Sequence, residues 1–149
     1  GRVETLQIGG KPVSILLIKN PTGANEVLRT VTAESPPFDI WLALNDKTAD
    51  GHDVSWIWDV DFEALVGKAR KITCSGTRAQ EMALRLAYAG VERSRLAVNP
   101  AIEDSFDQAV ADSVRSAVPI FALPTYTALL ELRTAIAKRG EAPSFWSDT

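Results

Sequence analysis

The sequence has one cysteine, one histidine, no long apolar run and no strong excess of charge. Because Cys74 has no second cysteine to pair with, a reducing compartment, the cytoplasm, is the expected location. The apolar runs are far shorter than the roughly 20 residues of a membrane helix, and the first residues lack the apolar core of a signal peptide. The net charge is -3 and no basic cluster extends beyond residues 68–71, so a nucleic-acid partner is not expected.

Two nucleotide-binding signatures are also missing. The sequence contains neither the GxxxxGK[ST] loop nor the GxGxxG fingerprint, so this chain alone is not expected to bind and split a nucleoside triphosphate. The turns at 21–24 and 75–78 each open a helix, and free helix N–H groups attract anions. Ordinary helix capping is the better interpretation of both turns.

The length and the composition of the chain indicate a single folded domain. A chain of 149 residues can bury roughly two thirds of its unfolded surface. No internal repeat and no low-complexity linker divides it, so residues 1–140 are predicted to form one domain and residues 141–149 a loosely attached tail.

Glycine and apolar spacing divide the chain into alternating strands and helices. Gly9-Gly10 predicts a tight edge hairpin that joins residues 2–8 to a buried strand at 13–18, because both turn positions need positive φ. Continuous apolar runs predict further strands at 38–44, 71–74, 96–98 and 118–123. Helical spacing predicts helices that include residues 27–31, 62–66, 82–87, 106–114 and 129–136.

This alternation predicts a doubly wound α/β fold, with a mostly parallel sheet and helices on both faces. Two helix ends are marked in particular. Thr77 and Gln80 have the spacing of a capping box at the start of one helix, and Gly90 is expected to end the same helix.

The segment 45–61 concentrates the unusual chemistry of the chain. It holds five of the nineteen acidic residues, the single histidine and two of the four tryptophans. It lies between a predicted strand and a predicted helix, and in parallel α/β sheets such loops lie at the carboxyl ends of the strands, where ligands bind. Connections longer than about 12 residues are usually functional or disordered, and the tryptophans argue for order. We therefore expect an ordered, partly exposed loop with a function.

The acidic residues of this loop divide into two groups. Asp46, Asp50 and Asp61 are interpreted as solvated loop charges. Asp53 and Asp59 bracket Val-Ser-Trp-Ile-Trp, whose rings must pack, so their carboxylates are expected to be held in place. A held carboxylate can orient a histidine of a nucleophile–base–acid triad. The nucleophile and the base would then belong to another chain.

Two alternatives within the chain are less favourable. A thiol triad of Cys74, His52 and an aspartate is disfavoured because Cys74 lies in a predicted buried strand. A metal site at His52 with Asp50 and Asp53 lacks a second histidine or a cysteine, so no metal is predicted.

The start of the chain resembles the C-terminal domain of Mur ligases. The resemblance rests on Gly1-Arg-Val-Glu, on Gly-Gly-Lys-Pro-Val before a buried strand, and on Asn20-Pro21 before a helix. Mur ligases usually carry Asp-Tyr-Ala-His-Asn/Thr-Pro at that turn. Here the sequence is Leu-Leu-Ile-Lys-Asn-Pro at 16–21, so Lys19 stands at the position of the histidine.

In this departure and in further segments, the sequence resembles one branch of the Mur ligases, the MurT family. The matching segments are Lys-Asn-Pro-Thr-Gly-Ala-Asn-Glu at 19–26, Ala-Leu-Asn-Asp at 43–46, Ala-Asp-Gly-His-Asp-Val-Ser-Trp-Ile-Trp-Asp at 49–59, Ser-Gly-Thr-Arg at 75–78, Met-Ala-Leu-Arg-Leu-Ala-Tyr-Ala-Gly at 82–90 and Thr-Tyr-Thr-Ala-Leu-Leu-Glu-Leu-Arg at 125–133. They occur in the same order and span nearly the whole chain.

The resemblance implies a role in a two-subunit amidotransferase. MurT proteins pair with the glutaminase GatD in lipid II isoglutaminyl synthase, which uses ATP to amidate the D-glutamate of the peptidoglycan stem peptide. An aspartate of this domain would complete the cysteine–histidine pair of GatD, with Asp53 as first choice and Asp59 as second. The implied interface residues are His52, Trp56 and Trp58, and the residues implied to lie near substrate or nucleotide are Lys19, Asn20, Thr22, Asn45 and Asp46.

The same resemblance limits what this chain does by itself. ATP and Mg²⁺ would be bound mainly by the other MurT domains, and the lipid II substrate would be engaged through the full complex. No cofactor is expected for this domain alone, which should be inactive in isolation. The alternatives are the C-terminal domain of an ordinary amino-acid-adding ligase, in which the loop helps to hold an amino acid, and a stand-alone binding module for a small ligand.

Overall fold

The structure, a computed structural model, describes residues 2–140 and 143–148. The strands are β1 (Arg2–Ile8), β2 (Lys11–Leu16), β3 (Phe38–Ala43), β4 (Ala69–Ser75), β5 (Leu96–Val98), β6 (Ile120–Pro124) and β7 (Pro143–Asp148). The helices are α1 (Pro21–Thr32), α2 (Ala79–Ala89), α3 (Ile102–Ser116) and α4 (Tyr126–Lys138). Short 3₁₀ turns cover Ser55–Asp59, Phe62–Leu65 and Arg93–Arg95.

The strands form one mixed sheet in the order β5-β4-β3-β6-β2-β1-β7. Strands β5, β4, β3, β6 and β2 are parallel to one another, whereas β1 is antiparallel to both of its neighbours. The chain steps outward from β3 to β5 and then returns to place β6 between β3 and β2. The loops that follow the parallel strands therefore lie together at the carboxyl ends of these strands. The winding direction of the sheet reverses between β3 and β6, which are neighbours in it.

Alternate residues of β3 enter two separate cores, which shows that both faces of the sheet are covered. Ile40 and Leu42 belong to the core under α1 and α2, together with Met82 and Leu86. The neighbouring Trp41 belongs to the core under α3 and α4, where its ring meets Phe106 edge to face at 5.3 Å between centroids. The doubly wound α/β prediction is confirmed.

The glycine signals at the ends of elements are also confirmed. Gly9 and Gly10 have φ of 58° and 82°, and the hairpin that they form pairs β1 with β2. Gly90 ends α2 with φ of 107°, where its N–H reaches the carbonyl groups of the last turn. Each of these conformations strongly favours glycine.

The β1–β2 hairpin lies at the side of the sheet where the chain ends. The backbone of residues 143–148 runs antiparallel to β1 as β7. The hairpin is therefore present as predicted, but its predicted place at the edge of the sheet is wrong, because β7 pairs with the outer side of β1. Of the tail predicted at 141–149, residues 141, 142 and 149 lie outside the described residues. The domain boundary at residue 140 stays a prediction. Within the described residues, no helix is long and apolar enough to cross a membrane.

Candidate functional site

The candidate site is the long loop at 45–61, which follows β3 at the carboxyl edge of the sheet. Its first residue, Asn45, is 1% exposed and joins three segments of the edge. The Asn45 side-chain amide donates to Thr127 Oγ1 at 2.9 Å and to Glu131 Oε1 at 3.1 Å, both on α4. Its Oδ1 accepts the N–H of Thr77 at 2.9 Å. Asn45 therefore braces the loop against the segments that follow β4 and β6, while its predicted proximity to substrate stays a prediction.

Asp46 forms the second attachment, and its interpretation as a solvated charge is wrong. Its carboxylate accepts from Arg78 Nη1 and from Thr77 Oγ1, each at 2.8 Å. These hydrogen bonds, that of Arg78 first, lower the pKa of Asp46 below its usual range. The predicted capping box of Thr77 and Gln80 is also wrong, because the Thr77 hydroxyl is bonded to Asp46 and α2 begins only at Ala79, with no side-chain cap.

Asp50 forms the third attachment and is likewise not a free loop charge. Its carboxylate accepts the backbone N–H of Thr127 at 2.9 Å and the Thr127 hydroxyl at 2.5 Å. Since α4 begins at Tyr126, Asp50 satisfies an unpaired N–H in the first turn of that helix. Close by, Lys47 Nζ forms an ion pair with Glu131 Oε1 at 2.8 Å, which raises the pKa of Lys47. The first third of the loop is thus fixed to α4 and to the start of α2.

The exposed His52 is oriented by this fixed segment. Its Nδ1 lies 2.7 Å from the backbone carbonyl oxygen of Asp46. A carbonyl oxygen only accepts, so Nδ1 carries the proton in this arrangement and Nε2 is the acceptor of the neutral ring. No group of three potential metal-ligating side chains is found in the part of the chain that the structure describes.

Cys74 has no part in this site. It is fully buried in β4, and burial raises the pKa of its thiol to about 12. A thiol that stays protonated at neutral pH is a poor nucleophile, which agrees with the rejection of a triad within the chain.

Asp53 is exposed and is held by a local hydrogen bond. Its Oδ1 accepts the backbone N–H of Ser55 at 2.9 Å, and hydrogen bonding to Ser55 lowers the pKa of Asp53. The carboxylate is therefore an anion at neutral pH with a restricted orientation. It lies directly before the 3₁₀ turn Ser55–Asp59, and the second candidate, Asp59, is the exposed last residue of that turn.

The two tryptophans of the turn have different environments. Trp56 is half-buried and packs against the core under α1 and α2. Trp58 is 45% exposed, and its ring meets that of Tyr88 edge to face at 5.4 Å between centroids. Tyr88, on α2, is itself 74% exposed. The predicted loop therefore presents an aromatic pair to solvent beside Asp59.

Sequence reasoning missed Arg85, which anchors the second part of the loop. Its side chain lies on the buried face of α2 and donates to the backbone carbonyl groups of Ile57 and Val60, at 3.0 and 2.7 Å. The sequence did contain a signal for this contact. Arg85 is a charged residue on the apolar face of α2, three positions after Met82 and one before Leu86.

The remaining predicted residues lie at the carboxyl end of β2. Asn20 is the N-cap of α1, since its Oδ1 accepts the N–H of Gly23 at 2.9 Å. Lys19 and Thr22 flank it and are exposed. The side chain of Asn20 thus caps α1. Of these three residues, Lys19 is the one with a charged side chain, and it is exposed to solvent.

Nearly the whole of this chain is similar in sequence to known proteins. A sequence model of the family described as MurT ligase C-terminal matches residues 17–129. The MurT subunit of the lipid II isoglutaminyl synthase (glutamine-hydrolyzing) of Streptococcus pneumoniae is 36% identical over 140 residues, which are 93% of this chain and 31% of that protein. The corresponding subunit of Staphylococcus aureus is 36% identical over 130 residues, 87% of this chain and 29% of that protein. The chain thus spans less than a third of the length of these relatives.

A solved structure supports the fold alone. Mycobacterium tuberculosis folylpolyglutamate synthase complexed with ADP superposes with a TM-score of 0.58 at 17% identity, over 93% of this chain and 32% of that chain.

Proposed function

This chain belongs to the MurT ligase C-terminal family, and we propose on that basis that it docks a GatD-type glutaminase and supplies the aspartate of its triad. The observation that carries this proposal is the exposed, anionic Asp53, held by Ser55 on a loop that is fixed to both α2 and α4. A carboxylate that must orient a histidine of another subunit needs this combination of exposure and restricted geometry.

The proposed reaction divides between the subunits. The glutaminase thiolate attacks the side-chain amide of glutamine, and its protonated histidine gives a proton to the departing ammonia. Water, deprotonated by the same histidine, then hydrolyses the glutamyl thioester, which releases glutamate and the cysteine. Asp53 holds that histidine in the required tautomer and stabilises its cationic form. In the longer MurT protein, ATP phosphorylates the D-glutamate carboxylate, ammonia attacks the acyl phosphate, and phosphate leaves as the amide forms.

ATP and Mg²⁺ are assigned by this proposal to other domains of the longer protein. This chain has no phosphate-binding glycine loop, and its described residues form no metal-ligating group of three. Its own contribution at the amidation site is positive charge at the carboxyl end of β2, from Lys19.

Calorimetric titration of the full-length subunit with purified GatD tests the docking. We expect saturable binding, and we expect Trp58→Ala to weaken it about tenfold, because an exposed aromatic side chain at an interface commonly contributes more than 1 kcal/mol. Tyr126→Ala is the matched control, since Tyr126 is also half-exposed but lies on α4. Absence of GatD binding, with specific binding of an amino acid instead, would favour the ordinary ligase.

Replacement of Lys19 by alanine tests the amidation role. We expect ATP-dependent amidation by the assembled complex to fall about tenfold, because a cation near a transferring phosphoryl group stabilises the developing charge. Glutamine hydrolysis should not change. Lys68→Ala is the control, since Lys68 is also exposed but lies before β4, at the opposite end of the parallel strands. An unchanged amidation rate in Lys19→Ala would remove this residue from the proposal.

A further inference from the structure

Arg85 is a buried cation whose contacts converge on one short segment of the loop. Its side chain is 5% exposed, and its Nε and Nη2 donate to the carbonyl groups of Ile57 and Val60. Nη2 also lies 2.9 Å from Glu63 Oε1. The guanidinium carbon is 5.4 Å from the ring centroid of Trp58. One side chain of α2 therefore contacts residues throughout the stretch 57–63.

The internal hydrogen bonds of the loop define its shape only weakly here. The turn Ser55–Asp59 is held internally by 3₁₀-type bonds, from Ile57 N–H to the Val54 carbonyl at 3.1 Å and from Val60 N–H to the Ile57 carbonyl at 3.3 Å. Such bonds have poorer geometry than those of an α-helix and form only short runs. The apolar side chains of Val54, Ile57 and Val60 bury the turn in the core under α1 and α2, and the planar fork of Arg85 adds two directional donors that fix its backbone to α2.

Stability alone does not account for a charged residue at this position. A charge that is buried loses its hydration, so a buried cation is often no more stabilising than an apolar side chain of similar volume. Arg85 lies on the same face of α2 as Met82 and Leu86, where an apolar residue would also fill the space. What the guanidinium supplies beyond volume is directional bonding in a fixed plane.

Hydrogen bonds at the two ends of one short turn, joined by its backbone, connect Arg85 to the proposed triad residue. Arg85 fixes the carbonyl group of Ile57, within the turn Ser55–Asp59, and that of Val60, directly after the turn. The N–H of Ser55 in turn holds the carboxylate of Asp53 at 2.9 Å. A shift of the turn would therefore move or rotate that carboxylate.

From this geometry we infer that Arg85 is a positioning residue for glutamine hydrolysis, acting through the 55–59 turn on the carboxylate of Asp53. The inference rests on the proposed function, because the aspartate acts there on a histidine of the glutaminase. Misplacement of a reacting group by about 1 Å can lower a rate about 100-fold. Loss of Arg85 should therefore reduce turnover and leave the binding of glutamine, which contacts the other subunit, unchanged.

The test uses Arg85→Met and Arg85→Lys in the full-length subunit assembled with GatD. Methionine fills the volume without donors, whereas lysine keeps the charge and loses the fork. For both variants we expect kcat of glutamine hydrolysis to fall about 10- to 100-fold, with KM for glutamine within about twofold of wild type. Amidation driven by added ammonia should stay within about twofold.

Two control variants separate positioning from loss of stability. Arg70→Met removes the ion pair with the buried Asp39, whose Oδ2 lies 2.6 Å from Arg70 Nη2, at the amino end of the sheet. It should destabilise the protein and leave kcat unchanged. Glu63→Gln removes the exposed partner of Arg85 and keeps both carbonyl bonds, so its kcat should also match wild type.

Hydrogen exchange gives a readout that does not depend on the glutaminase. The amides of Ile57 and Val60 should exchange at least about tenfold faster in Arg85→Met than in Glu63→Gln. Wild-type kcat in both Arg85 variants, with Asp53→Asn inactive, would overturn the positioning role and leave the proposed function intact. Wild-type kcat in Asp53→Asn and Asp59→Asn would overturn the proposed function itself, while faster exchange would still show that Arg85 fixes the turn.

Discussion

Replacement of Asp53 by asparagine should lower glutamine hydrolysis by the assembled complex about 10⁴-fold, the loss measured when the aspartate of a serine triad is changed in this way. Asparagine keeps the size of the side chain and retains an oxygen that can accept the Ser55 N–H, so the loop should keep its shape. What is lost is the negative charge that fixes the tautomer of the histidine and stabilises its cation. Steady-state release of glutamate measures the effect.

Two further measurements with the same variant locate the defect. GatD binding by calorimetry should stay near wild type, and amidation supplied with free ammonia should be spared, because Asp53 takes no part in the acyl-phosphate step. Asp59→Asn is the matched comparison, since Asp59 is exposed at the other end of the same turn. Activity in Asp53→Asn with inactivity in Asp59→Asn would transfer the role to Asp59, and activity in both would refute a triad residue on this loop.

The second large effect concerns stability and is expected for Gly76→Ala. Gly76 has φ of +90°, and a Cβ atom there would lie 2.4 Å from the Leu44 carbonyl oxygen and 2.8 Å from Asn45 Oδ1. These atoms are held, since the Leu44 carbonyl also accepts the N–H of Arg78 at 2.9 Å. We expect the free energy of unfolding to fall by about 3 to 5 kcal/mol, from the backbone conformation and the forced contact together. Urea unfolding followed by fluorescence measures it.

Gly51→Ala provides the control for the conformational part of that loss. Gly51 has a nearly identical φ of +88°, but nothing lies within 4 Å of the position of its Cβ. Its replacement should cost only about 1 to 2 kcal/mol, the cost of a left-handed conformation. Equal losses in the two variants would mean that the close approach of the loops after β3 and β4 contributes nothing to stability.

Features that depend on a residue's own conformation were predictable from the sequence. Gly9, Gly10 and Gly90 occupy the positive φ expected of them, because such a preference acts wherever the residue lies in the fold. The apolar periods likewise predicted the parallel strands and four α-helices to within a few residues, since burial on one or both faces leaves a direct mark on the sequence. The helix predicted at 62–66 is wrong, because this segment forms only the short 3₁₀ turn Phe62–Leu65.

The detailed structure of the candidate site was less predictable, because its contacts join distant parts of the chain. Thr77 has the spacing of a helix cap, yet its hydroxyl bonds to Asp46, which is 31 residues earlier. In the sequence Asp50 resembles a solvated loop charge, but in the fold its carboxylate accepts the N–H of Thr127 on α4, 77 residues later. The position and order of the loop followed from composition, whereas the identity of its bonded carboxylates required the tertiary structure.

The place of β6 in the sheet has a consequence for synthesis on the ribosome. This strand pairs with both β2 and β3, although it follows them by many residues in the chain. Until residues 120–124 emerge, the hairpin that contains β2 and the unit β3-β4-β5 each have an unpaired apolar edge. Pairings between such distant segments form slowly, and exposed edges favour association with other chains. We therefore expect the nascent chain to be most prone to association with other chains during the interval between the synthesis of β5 and that of β6.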